Sequence, residues 1–138
     1  MKKSEIKQLI KEEIAKTSNK YPGERLNPRE EEIAPGVINH NFDTIDIINL
    51  DNGYKIKIIS TYSFRDPGTK GYSKEHFSEE NPVVGDVKST LITPSGKPIG
   101  NKNFAGSNQH MLMNLGKEFK IKYITAWWEN KMNKLGLS

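Results

Sequence analysis

The apolar positions change period along this chain. Between residues 4 and 17, Ile6, Leu9, Ile10 and Ile14 recur at helical spacing, which predicts an amphipathic helix with a narrow apolar stripe. Ser4 stands at the N-cap, Glu5 lies in the positive first turn, and Glu12 precedes Lys16 by one helical turn in the favourable order for an ion pair. A helix this short is near the lower limit of stability in isolation, so its stripe is expected to dock on its own domain, on a partner or on a copy of itself. Residues 18–36, "SNKYPGERLNPREEEIAPG", are punctuated by Pro and Gly and read as a linker. Asn27, Pro28 and Glu30 stand at N-cap, N1 and N3 spacing, which predicts one or two helical turns ended by Pro35-Gly36.

The period then falls to two. "FDTIDIINL" and "YKIKIISTYS" flank Asp51-Asn52-Gly53, and Asn-Gly between alternating runs predicts a hairpin with a two-residue type I′ turn. That turn places Asp51 opposite Tyr54 and gathers Ile45, Ile47, Ile56 and Ile58 on the core face. The other face carries Asp46, Ile48, Lys55, Lys57 and Ile59, half apolar and open to a covering element. Residues 64–82 are too long for a structureless connection in a compact domain, and a short helix from Ser73 to Glu80 is expected. A strand over residues 84–93 follows, with a turn at Pro94-Ser95-Gly96 and a return in which Pro98 requires an edge position.

The C-terminal stretch mixes periods. Asn108 can cap a helix carrying Met111, Leu112 and Leu115 and ended by Gly116, and Ile124, Trp127/Trp128, Met132 and Leu135 predict a helix over about 124–135. Residues 117–123 fit a strand, a turn or more helix. The expected architecture is therefore α+β, with an N-terminal amphipathic helix, antiparallel β-hairpins forming a small sheet, and a C-terminal helix or helices packed on it. Residues 1–17 form the arm, 18–36 the linker and 37–138 a single globular domain.

Composition narrows the chemistry. The chain of 138 residues has no cysteine, which excludes disulfides, thiolate metal sites and a cysteine nucleophile. No apolar run is long enough for a membrane span, and the charged N-terminal helix lacks the apolar centre of a signal peptide, so no membrane role is expected. A net charge of +4 permits contact with nucleic acid without requiring it. His40, His76 and His110 lie far apart with no metal-binding spacing, and no phosphate-binding glycine loop or nucleophile elbow occurs. Asp46 and Lys57 invite comparison with metal-dependent nucleases, but Lys55 stands where a carboxylate belongs. A metal-independent nuclease or other host-directed effector would draw on Tyr62, Tyr72, Lys74, Glu75 and His76. No catalytic residue, metal or cofactor is assigned.

Two segments resemble known families. "GKEFKIKYITAWWENK" resembles helix-turn-helix proteins, departing at Lys120, where a turn glycine is common. The resemblance implies Phe119, Ile121 and Ile124 as inward residues and Lys120, Lys122, Tyr123, Lys131 and Lys134 as nucleic-acid contacts. The leader "MKKSEIKQLIKEEI" resembles the "KSELKxxIREEI" type of segment at the front of small tailed-bacteriophage proteins, through Lys3, Ser4, Glu5, Ile6, Leu9, Ile10, Glu12, Glu13 and Ile14. It implies a phage setting, in the virion or the host cytoplasm. The leading expectation is a non-enzymatic structural or assembly protein that contacts protein partners, or itself, through Ile6, Leu9, Ile10 and Ile14, with Trp127 as a second anchor. A nucleic-acid-binding accessory protein is the alternative, and a small nuclease or effector the next.

Overall fold

A computed structural model of the protein describes residues 24–104 and 114–137. Strands β1 (Leu26–Ala34), β2 (Val37–Asn49), β3 (Lys55–Phe64), β4 (Val83–Ile92) and β5 (Pro98–Asn103) form one antiparallel sheet in chain order. A single described helix, α1 (Lys117–Leu135), packs on one face of it. This corrects the expected architecture of a small hairpin sheet under a C-terminal helix or helices: the sheet is a five-stranded meander whose first strand lies in the expected linker, and among the described residues one helix covers it. The expected N-terminal helix, with Ile6, Leu9, Ile10 and Ile14, lies outside the described residues, as does most of the expected Asn108-capped helix.

The expected linker is partly strand. Asn27 adopts a positive φ of 54° and donates weakly to the Asp43 carboxylate (3.4 Å), so the Asn27-Pro28 step is a bulge at the sheet edge and not a helix cap. Pairing with β2 overrides the local helix signal of Glu30, Glu31 and Glu32. Pro35-Gly36 joins Ala34 to Val37 as a two-residue turn whose second position, Gly36 at φ 75°, suits glycine.

The β2–β3 hairpin exists, but its register differs by one residue from the expectation. Asn49 pairs with Lys55, Ile48 with Ile56 and Asp46 with Ile58, leaving Asp51-Asn52-Gly53 as a three-residue loop. Leu50 N–H donates to Tyr54 O at 2.8 Å, Gly53 N–H to Leu50 O at 3.1 Å, and Gly53 takes φ 86°, the pattern of a turn followed by a left-handed residue. One residue more in the loop turns every β2 side chain to the opposite face relative to β3. Ile56 and Ile58 are core as expected, but Ile45 and Ile47 point outward, 43% and 49% exposed, and Phe42, Thr44 and Ile48 take their place inside. Pro94-Ser95-Gly96 repeats the device: Thr93 N–H donates to Lys97 O, and Gly96 sits at φ 92°. Gly53→Ala should therefore cost about 1–2 kcal/mol, because the left-handed conformation opposes a Cβ and that Cβ would lie 3.2 Å from Pro94. Urea denaturation with an unchanged midpoint would contradict this.

Residues 65–82 form turns and bends, not the expected helix over 73–80. Local side-chain bonds outcompete the helical ladder there: Glu75 N–H donates to Ser73 Oγ, while Ser78 Oγ and Asn81 Nδ2 both donate to Lys74 O. Arg65 fastens the loop, donating from Nε to Asn39 Oδ1 and from a terminal nitrogen to Lys70 O.

Helix α1 begins seven residues before the expected position, which resolves residues 117–123 as helix. Gly116 immediately precedes its first turn. Gly136, at φ 74°, ends it: Gly136 N–H reaches Asn133 O and Leu137 N–H reaches Met132 O, a Schellman arrangement. Ile121, Ile124, Trp128 and Met132 form the buried stripe, closing the core over Ile56, Ile58, Val87 and Leu91.

Candidate interaction surfaces

The inner sheet face, under α1, brings the polar core groups together. Thr44, Asp46, Ser60 and Tyr62 share it because their strands pair Thr44 with Ser60 and Phe42 with Tyr62. Lys120, on the buried stripe of α1, donates from Nζ to Ser60 Oγ at 2.6 Å and to Tyr62 Oη at 3.0 Å. Burial pushes its ammonium down to about 8, with the Asp46 charge opposing that shift and Lys117 adding to it. Lys117 Nζ meets Asp46 Oδ1 at 3.1 Å, both side chains largely covered. A lysine amine on a serine hydroxyl is a pairing that nucleophilic catalysis uses. Here, however, both residues are fully buried, so no substrate reaches them from solvent and the pair serves as a hydrogen-bonded core.

The expected catalytic alternatives are not assembled. Asp46 faces inward and pairs with Ile58, whereas Lys57 faces outward beside Ile47, so the two cannot share a metal. Tyr62 is buried beneath α1, while Lys74, Glu75 and His76 are exposed in the 65–82 connection. Among the described residues no three His, Asp or Glu side chains gather as metal ligands, and no helix is long and apolar enough to cross a membrane.

The proposed nucleic-acid contacts are also redistributed. The continuous helix from Lys117 to Leu135 leaves no turn in which to set a recognition helix. Lys120 is internal and Tyr123 half-buried, its ring packed edge-on by Phe104. Lys122, Lys131 and Lys134 are exposed. Lys122 and Lys131, nine positions apart, are about 180° apart around the helix, so they do not line one edge. Trp127 is half-buried, edge-on to Phe104 and Trp128, with Lys102 Nζ 5.3 Å from its ring centre. It closes the margin of the core and offers less free ring than an isolated anchor.

At the opposite margin, a cleft of about 300 Å³ lies between the β1–β2 pair and Phe64. Arg25 stacks 4.4 Å above Phe42, and His40 stacks on Phe64 with its nitrogens toward Glu30 (3.4 Å) and Asp66 (2.9 Å). Arg29 binds the Asp43 carboxylate from both terminal nitrogens. Burial works against ionisation of Asp43, but bonds from Arg29, Thr61 and Asn27 and the Arg29 charge hold its carboxyl below the usual range. These groups brace β1 and the 65–82 connection against the sheet.

The outer sheet face carries Ile45 and Ile59 directly opposite one another, Ile47 opposite Lys57, and Lys88 beside Ile59. The sequence pattern places Lys55, Lys57 and Ile59 on this half-apolar face, as observed; the loop length exchanges its β2 members, bringing Ile45 and Ile47 out in place of Asp46 and Ile48. Comparisons of the chain with protein-family models, curated proteins and solved structures find no match.

Proposed function

We propose that this protein is a non-enzymatic structural or assembly component of a bacteriophage particle that docks on partner subunits. The observation that carries the reading is the outer sheet face, where Ile45 and Ile47 stand about half exposed beside Lys57 on a regular, rigid surface. Apolar side chains presented by a sheet suit protein contact better than chemistry, which calls for convergent, accessible polar groups. The closed Lys120–Ser60–Tyr62 cluster supports the same reading, because its polar groups are spent on one another. The amphipathic leader adds a second docking element in Ile6, Leu9, Ile10 and Ile14, and its resemblance to phage leaders supplies the setting.

The test is fractionation in phage-producing cells. The wild-type chain should co-purify with particles, and a Leu9→Asp/Ile10→Asp chain should remain in the free soluble fraction with an unchanged circular dichroism spectrum. Wild-type protein found only outside particles would overturn the reading.

A further inference from the structure

The β1–β2 hairpin runs past the rest of the sheet. Strand β3 ends at Phe64, opposite His40, so residues 31–34 and 37–39 pair only with one another. The projecting tip carries Glu31 and Glu32 next to the exposed Ile33 and Ile38, with Glu30 at its base. An acidic, apolar tip is conspicuous on a chain whose net charge is +4. The outer sheet face has the complementary make-up: Ile45, Ile47 and Ile59 lie among Lys55, Lys57 and Lys88. Lys88 approaches Asp86 at 3.7 Å, but Lys55, Lys57, Glu31 and Glu32 make no ion pair among the described residues.

We propose that the outer sheet face of one copy receives the β1–β2 hairpin tip of a second copy end-on, apolar side chains meeting at the centre and Glu31 and Glu32, on opposite sides of the tip, lying among Lys55 and Lys57. This inference rests on the assembly reading above and names the partner as the chain itself. The two patches are different residues of one surface. The tip lies at the start of β2, and Ile45 and Ile47 lie toward its end. One tip cannot reach its own face, because both ride on the same stiff strand. The contact therefore joins copies, either reciprocally in a pair or head to tail in a chain. A single tip buries little surface, so each contact is weak, salt-sensitive and dependent on concentration.

Light scattering on the full-length protein at low salt should give a mass that rises with concentration and falls to the monomer at high salt. Glu31→Lys/Glu32→Lys and Lys55→Glu/Lys57→Glu should each be monomeric, since like charges then face each other, with circular dichroism unchanged from wild type. An equimolar mixture of the two variants should associate again, because each tip then finds an oppositely charged face. A wild-type monomer throughout, variants that associate as the wild type does, or a mixture that stays monomeric would overturn the proposal. Association that survives both charge variants but disappears in the Leu9→Asp/Ile10→Asp chain would overturn it while leaving the assembly reading standing.

Discussion

Lys120→Met is expected to remain folded, and the stability difference between it and the wild type should shift by about 3 kcal/mol between neutral and strongly alkaline pH. The wild-type ammonium is buried against Ser60 and Tyr62, and burial lowers its folded pKa from 10.5 to about 8. Below pH 8 the lysine is charged in both folded and unfolded chains, and the folded chain carries the full cost of taking that charge out of water. Between pH 8 and 10.5 the unfolded chain binds the proton and the folded chain releases it. The unfolded state then holds more protons, so wild-type stability rises with pH through that window and levels off above it.

Methionine has a similar length, no charge and no titration, so subtracting its denaturation curve removes the contribution of every other lysine and tyrosine. At pH 7 the variant should be at least as stable as the wild type, as is common when a buried charge is exchanged for an apolar side chain of similar volume. Two parallel curves from pH 7 to 11 would show that the cost of burying this ammonium is compensated within the core. Both variants leave the Ser60 and Tyr62 hydroxyls without the Lys120 donor, but Lys120→Ala adds a cavity and should destabilise at every pH.

Trp128→Ala should lower stability by about 3–5 kcal/mol, the largest loss expected from one described side chain. Trp128 is buried at the centre of the α1 stripe, its Nε1–H donates to Ser89 Oγ at 2.8 Å, and its ring lies over Gly100 on β5. No smaller residue fills that space. Trp128→Phe should cost less, because it refills most of the space and Ser89 Oγ keeps its own bond to Lys102 O at 2.9 Å, leaving a smaller void and the lost indole N–H bond as the cost. Gly100→Ala tests the same packing from the sheet side: its Cβ would sit 3.2 Å from the Trp128 ring, so it should destabilise the wild type and do so less in the Trp128→Phe background. Equal effects of Gly100→Ala in both backgrounds would show that the ring does not govern that approach. Chemical denaturation of the four chains makes the comparison.

The contrast between Trp127 and Trp128 shows how far patterning reaches. Two adjacent tryptophans on a helix cannot both face one core, and the 3.6-residue period with Ile121, Ile124 and Met132 selects Trp128. The same period extends to Lys120, but a lysine on an apolar stripe ordinarily reads as a boundary residue with its head in water. Only the strand pairing that brings Ser60 and Tyr62 beneath it makes its burial tenable. The candidate surfaces were less legible than the core. The acidic run at Glu30–Glu32 looks helical in isolation, and its role as a projecting edge depends on β3 stopping at Phe64.

By itself, the sequence determined that "YKIKIISTYS" and residues 84–93 are strands, that turns fall at Asn52-Gly53 and Pro94-Gly96, that Pro98 lies in an edge strand and that a helix runs to about residue 135. Each rests on local chemistry: period-two alternation, glycine in a left-handed turn, and a proline that cannot donate to a ladder. Tertiary structure alone decided the register. One residue in the Asp51–Gly53 loop exchanged Ile45 and Ile47 for Phe42, Thr44 and Ile48 in the core. Both registers satisfy the local hydrogen bonding of a hairpin. The choice between them follows from which face α1 covers, and that is a contact between residues far apart in the chain.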